Sequence, residues 1–307
     1  MQKVTIVGAG RVGESTAQFL ASKDIAREVV LLDIKEGQAE GAALDIQETA
    51  PLLEFDSTVT GSTDFSTLRD SELVIVTAGI PRKPGMSRSD VLETNVKILD
   101  SIVDKILEYA PQAMLMLVSN PVDVLTYRAW RRTGWPRHRV FGQAGVLDSS
   151  RMAAFIAMET GFSRKDISAM VLGGHGDSMV SLARYTTISG IGIDQFLNEE
   201  QIKRIVERTR NGGAEVLALR RTSSAYDAPA AAIVKMVDAI GRNRHSLLPV
   251  VAILDGEYGY DNAAMGVPCV LGETGVERVL EISLTEEERA QFDASLAGVL
   301  KDIKRLD

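Results

Sequence analysis

Val4-Thr5-Ile6-Val7-Gly8-Ala9-Gly10-Arg11-Val12-Gly13 is the stretch that decides the fold. Val4 to Val7 is a short β-branched run that Gly8 ends, and Arg11 to Ser22 reads as a helix. The junction between them has G-x-G-x-x-G spacing. Alone that spacing is a weak signal, but between a strand and a helix each glycine acquires a task. The first makes a tight turn, the second lets a pyrophosphate approach the backbone, and the third lets the helix lie close to the strand. The helix N-terminus then offers free N–H groups and a favourable dipole to the phosphates. The next apolar run, Glu28 to Leu32, stops at Asp33, 20 residues after Gly13. An acid there accepts hydrogen bonds from a ribose diol and repels a 2′-phosphate. Gly8, Ala9, Gly10, Arg11, Val12, Gly13 and Asp33 thus read as a dinucleotide site with NAD favoured over NADP, a preference that Lys35 tempers. The competing reading is a tight turn followed by a capping acid.

Outward from this turn, strand and helix signals keep alternating. Gly41 to Thr49 reads as a helix, Leu73 to Thr77 as a buried strand and Ser89 to Tyr109 as a long amphipathic helix. Ala113 to Val118 is a strand, Val122 to Arg132 a helix, and Val140 to Gly142 a last short strand. Continuous apolar strands separated by helices predict an α/β fold, a doubly wound parallel sheet covered on both faces. The alternation weakens near residue 145. Helical patterns follow at 148–160, 199–220, 226–241 and 285–305. Strand-like runs fall at 167–172, 185–193, 247–254, 267–271 and 276–283. The second half therefore reads as α+β. Residues 1–145 form one expected domain and 146–307 another, with no Ser/Gly linker between them, so the halves are expected to sit tightly together.

Composition narrows the function classes. A chain of 307 residues suggests about two domains. Its net charge of −8 opposes polyanions, so nucleic acid is not an expected partner. The longest stretch free of Asp, Glu, Lys and Arg is 14 residues, Tyr109 to Val122. A membrane-spanning helix needs about 20 apolar residues, so no membrane partner is expected. The one cysteine, Cys269, allows no intrachain disulfide and reads as core filler in a cytoplasmic protein.

Three histidines are available. His138 and His245 lie in basic runs and are expected at the surface. His175 lies in Gly173-Gly174-His175-Gly176-Asp177 after an apolar strand, where glycines permit close approach of a ligand. It is either a satisfied polar group or an acid–base catalyst. Asp148 and Arg151 are three apart and share a helical face, as a salt bridge or as a site. In the second case a buried Asp148 orients an imidazole and Arg151 grips a carboxylate bidentately. The loop Ile80-Pro81-Arg82-Lys83-Pro84-Gly85-Met86-Ser87-Arg88 carries three cations in seven residues and leaves the ligand-binding edge of the sheet. Val118-Ser119-Asn120-Pro121 ends another strand on that edge. No metal site is evident.

Together, these segments resemble the lactate/malate dehydrogenase family over essentially the whole chain, and specifically the lactate-dehydrogenase-like branch of its malate enzymes. The resemblance implies a Rossmann NAD-binding domain followed by a catalytic domain. It implies His175 as the proton acceptor, Asp148 as its orienting partner and Arg151 on the α-carboxylate. Arg88 would polarise the substrate carbonyl, and Asn120 would touch substrate. Asn95, Val118, Ser119 and Asn120 would join the glycine turn in holding NAD. Arg82 stands where malate enzymes carry Arg and lactate enzymes usually Gln, so the expected substrate is a dicarboxylate, malate or oxaloacetate. The alternatives are a lactate or other 2-hydroxyacid dehydrogenase and a non-catalytic NAD-binding regulator. The branch also implies a homo-oligomer, a tetramer before a dimer. Ser181, after Met179-Val180, and Asp227, in the stretch Ser224 to Pro229, depart from the family pattern, and the outer wall of the substrate pocket lies near Ser224.

Overall fold

Parallel strands buried on both faces need side chains that are apolar on both, and the first half of the chain supplies them. In the computed structural model the described residues are 1–80 and 88–306, the side chains of 88–90 excepted. The elements of this half run β1 (Lys3–Val7), α1 (Arg11–Ala21), β2 (Glu28–Leu32), α2 (Gln38–Glu48), α3 (Ala50–Leu53) and β3 (Thr58–Ser62). They continue as β4 (Leu73–Val76), α4 (Arg88–Tyr109), β5 (Met114–Leu117), α5 (Val122–Thr133) and β6 (Val140–Gly142). Every residue of β4 and β5 is buried. The six strands pair in parallel in the order β3-β2-β1-β4-β5-β6. The order reverses between β1 and β4. Loops leaving the carboxyl ends of the strands flank a crevice at such a switch point, which is where open α/β sheets bind ligands.

β3 has no counterpart in the sequence reading. Only Val59 of Thr58–Ser62 is buried, and the strand pairs with β2 alone at the sheet edge. An edge strand needs only one apolar contact, so its pattern is polar. α2 lies close against it: a Cβ at Gly61 would run into the Ala39 carbonyl oxygen.

The second half contains α6 (Gly145–Thr160), β7 (Ile167–Ser168), β8 (Val171–Leu172), β9 (Val180–Ser181), β10 (Thr187–Ile188) and β11 (Ile191–Gly192). Then come α7 (Glu199–Arg220), α8 (Asp227–Gly241), β12 (Ser246–Asp255), β13 (Asp261–Gly272), β14 (Gly275–Val279) and α9 (Glu286–Ile303). Capping boxes at Asn198/Gln201 and Thr285/Glu288 start α7 and α9, each satisfying orphan amides reciprocally. β12, β13 and β14 form an antiparallel meander that joins the parallel sheet through one bridge, Val251 to Gly142. The two halves share their cores. One core joins Ile6, Leu31 and Ile75 to Ile233, Met265 and Phe292. The other joins Val76 and Leu117 to Val251 and Ile253. No described helix is long and apolar enough to cross a membrane.

Candidate active site

The glycine turn is built as its spacing requires. Gly8 has φ +109°, and a Cβ there would come within 2.6 Å of the Ala78 nitrogen. At Gly13 a Cβ would lie 1.9 Å from the Gly8 carbonyl oxygen, so α1 can approach β1 only without a side chain. Gly10 is different. Nothing lies within 4 Å of the position its Cβ would take. Gly10 also caps α1 without a side-chain hydrogen bond, leaving first-turn amides for an anion. Asp33 sits beside this space. Its Oδ2 accepts from the Ala9 amide at 2.8 Å and its Oδ1 from the Lys35 amide at 3.0 Å. Gln38 Nε2 donates to the Ala9 carbonyl at 3.0 Å, a brace the sequence reading did not foresee. Open space at Gly10, free helix amides and an anchored carboxylate together fit a pyrophosphate and its adjoining ribose.

The loops after β4 and β5 are tied together by Asn95 of α4, which is 3% exposed. Its Oδ1 accepts from the Ile80 amide at 2.8 Å. Its Nδ2 donates to the carbonyls of Ile80 at 3.2 Å and Asn120 at 2.7 Å. Ser119 Oγ donates to the Ala78 carbonyl. Val118 and Ser119 are half-buried, whereas Asn120 is exposed at the carboxyl edge. Arg82 and its loop neighbours lie outside the described residues, and so does the side chain of Arg88.

On the other side of this edge stands His175. Its Nδ1 lies 2.9 Å from Asp148 Oδ2, and Arg151 Nη1 donates to Asp148 Oδ1 at 3.1 Å. An ionised carboxylate only accepts, so Nδ1 carries the proton and Nε2 is the nitrogen left free to take or give one. The Asp148 side chain is 2% exposed, Arg151 14% and His175 17%: a buried anchor under two reachable heads. The acid and the arginine therefore form a salt bridge, and the same acid holds the imidazole. α7 makes room for the guanidinium with Gly212, where a Cβ would meet Arg151 Cδ at 3.1 Å. Burial pulls the imidazole downward, but the Asp148 charge and hydrogen bond, with help from Asp123, hold His175 above its ordinary value.

The other candidates fall elsewhere. His245 is exposed and bonded to Glu277 at 2.8 Å. His138 is half-buried in a run that is less solvated than its charge suggests. Arg137 pairs with Glu257 at 2.8 Å, and Arg139 stacks on Trp135. Asp227 is exposed and paired with Arg220 at 3.1 Å. Cys269 is fully buried, which pushes its thiol well up and leaves it unreactive.

Comparison with known proteins gives the family. Residues 2–142 match the family model described as lactate/malate dehydrogenase, NAD binding domain. Residues 145–306 match that of its alpha/beta C-terminal domain. Over 306 residues the chain is 70% identical to a malate dehydrogenase of Thioalkalivibrio sulfidiphilus (strain HL-EbGR7), covering 100% of both. The malate dehydrogenase of Salinibacter ruber superposes with a TM-score of 0.94 at 42% identity, over 99% of this chain and 98% of that one. A lactate dehydrogenase of Cryptosporidium parvum, solved with lactic acid and NAD, superposes at 0.95 with 38% identity, over 100% and 98%.

Proposed function

The chain belongs to the lactate/malate dehydrogenase family, and from that premise we infer that it is an NAD-dependent malate dehydrogenase, interconverting malate and oxaloacetate. The observation that carries the reading is the His175–Asp148–Arg151 cluster, at the same sheet edge as the glycine turn and Asp33. Gly8 to Gly13 would receive the pyrophosphate, and Asp33 the adenosine ribose. Asn95 shapes the adjoining wall by bracing the two loops, with Val118, Ser119 and Asn120 along it. Bound NAD supplies the hydride acceptor, and its reduced form the donor.

The chain's own residues handle the charge and the proton. Arg151 grips the carboxylate that every 2-hydroxy acid carries. In oxidation, neutral His175 takes the hydroxyl proton on Nε2, and Asp148 stabilises the imidazolium that forms. Reduction starts from protonated His175 and returns that proton. Arg88 supplies a cation for the carbonyl and Asn120 a polar contact. Arg82 pairs with the second carboxylate, which pyruvate lacks. An arginine shut against a methyl group is penalised, so selection works by repulsion as well as attraction.

The decisive assay is NADH oxidation with oxaloacetate against pyruvate. Preference for oxaloacetate is expected. Preference for pyruvate would make the chain a lactate enzyme, and NADH binding without turnover would make it a regulator. Assembly as a homotetramer in the cytoplasm belongs to the same proposal. Large exposed apolar side chains on α2, α3 and α7 support self-association: Leu44, Leu52, Leu53, Leu217 and Leu219.

A further inference from the structure

The loop that carries His175 is held by three successive amides, each taken by a different element. Gly173 N–H donates to the Gly266 carbonyl of β13 at 2.9 Å, and Gly174 N–H to Ser295 Oγ of α9 at 2.9 Å. The third, His175 N–H, donates to Asp123 Oδ2 at 2.9 Å. Asp123 is the second residue of α5, two places after the Asn120-Pro121 corner, and is 4% exposed. Its other oxygen, Oδ1, is buried and has no hydrogen-bond partner among the described residues. A hydroxyl or an amide would satisfy the His175 N–H without bringing a buried charge. A buried carboxylate with one oxygen unpaired is expensive, and such expense collects at functional sites.

We propose that Asp123 is a positioning residue for the acid–base pair: it bolts the His175 backbone to α5 and sets a second carboxylate near the imidazole, strengthening its hold on the proton. This rests on the reading of His175 as the proton acceptor. Among the described residues, the charged groups facing the imidazole are Asp148 and Arg151 from α6 and Asp123 from α5. Arg151 opposes protonation and is itself paired with Asp148, so the two carboxylates dominate. Asp148 bonds the ring and selects its tautomer. Asp123 bonds the backbone and acts on the ring only through its field. Burial raises the Asp123 carboxyl to about 6, with the nearby Asp148 charge adding to the rise and His175 opposing it. Asp123 and His175 each alter the other's hold on its proton, so their titrations are coupled.

Asp123→Asn tests the idea, because an amide oxygen still accepts from the His175 amide while the charge is gone. The chain has three histidines, so the ring protons of His175 can be followed by NMR and assigned with His175→Asn. In Asp123→Asn the His175 midpoint should fall by about 0.5–1 pH unit. The acidic limb of malate oxidation should move to lower pH by the same amount, with NADH affinity unchanged. Asp123→Ala, which loses the bolt as well, should also lower kcat about tenfold while KM changes little. An unmoved midpoint in folded Asp123→Asn overturns the proposal. If the variants do not fold, the wild-type chain decides: a coupled His175 signal titrates in two steps, and a single simple step overturns the proposal. The NMR midpoint needs no substrate. A chain whose His175 midpoint shifts yet which turns over no malate refutes the function while leaving the Asp123–His175 coupling standing.

Discussion

At the scale of single residues, proton position controls direction. In the proposed mechanism, malate oxidation needs neutral His175 and oxaloacetate reduction needs the imidazolium. Because Asp148 holds the imidazole above its ordinary value, oxidation should fall on the acid side of that raised value and reduction on the alkaline side. Opposite limbs in the two pH profiles, with one shared midpoint, would confirm the assignment. His175→Asn should keep NADH binding and lose turnover by about 1,000-fold or more, read as kcat beside a fluorescence titration. Arg82→Gln should lower efficiency with oxaloacetate and raise it with pyruvate, changing their ratio by roughly 30- to 5,000-fold. An unchanged ratio would remove Arg82 as the discriminator. Asp123 also bears on stability. Burial lifts its carboxyl from 3.8 to about 6, so between those values the folded chain holds a proton that the unfolded chain has released. Its contribution is most favourable below about pH 4 and declines by about 3 kcal/mol as pH rises through 6. Asp123→Asn should therefore melt above wild type at pH 8, with the gap shrinking at pH 5. A gap of the same size at both pH values would contradict this.

At the scale of elements, the glycine turn separates folding from binding. Gly13→Ala forces a methyl group into the Gly8 carbonyl, so α1 must move off β1. Overpacking of this kind costs about 1–3 kcal/mol, which lowers Tm by roughly 2–10 °C. Gly10→Ala meets nothing in the protein and should leave Tm nearly unchanged, yet weaken NADH binding at least tenfold by filling the space at the α1 N-terminus. Thermal melts and a binding titration on both variants check the contrast. The legible elements share a cause. β2 (Glu28–Leu32), β6 (Val140–Gly142) and α7 (Glu199–Arg220) coincide with the runs read from sequence, because buried parallel strands and a capped amphipathic helix declare themselves locally. β3 did not, since an edge strand that buries Val59 alone carries no apolar run. β9 (Val180–Ser181) escaped as well, being two residues long and dependent on β8 for its pairing.

At the scale of the whole molecule, the two sequence halves are not two separable cores. The meander of β12 to β14 extends the parallel sheet, and both cores draw residues from each half. In the proposed reading residues 1–145 bind NAD and 146–307 carry the catalytic groups, joined so that His175 from the second half meets Asp123 of the first. Exposed Leu52 and Leu219, at 82% and 77%, are the surfaces on which the proposed tetramer depends. Sedimentation should give about four times the 33.2 kDa chain mass. Leu52→Lys combined with Leu219→Lys should yield a smaller species, and a wild-type monomer would end the proposal.

What the sequence determined by itself was local. Strand, glycine turn, helix and following acid lie within 33 residues, and their meaning depends on spacing along one stretch of chain. Asp148 and Arg151 were legible as a pair for the same reason, since helical periodicity puts i and i+3 on one face. Tertiary structure alone decided what crosses the fold. His175 meets Asp148 across 27 positions, Asn95 reaches Asn120 across 25, and Asp123 takes the His175 amide across 52. Nothing in Asn-Pro-Val-Asp announces that its last carboxylate will be buried against a histidine loop. Packing imposes that meeting, because α5 and the loop after β8 must close over the same sheet edge, and a buried amide there has to find an acceptor.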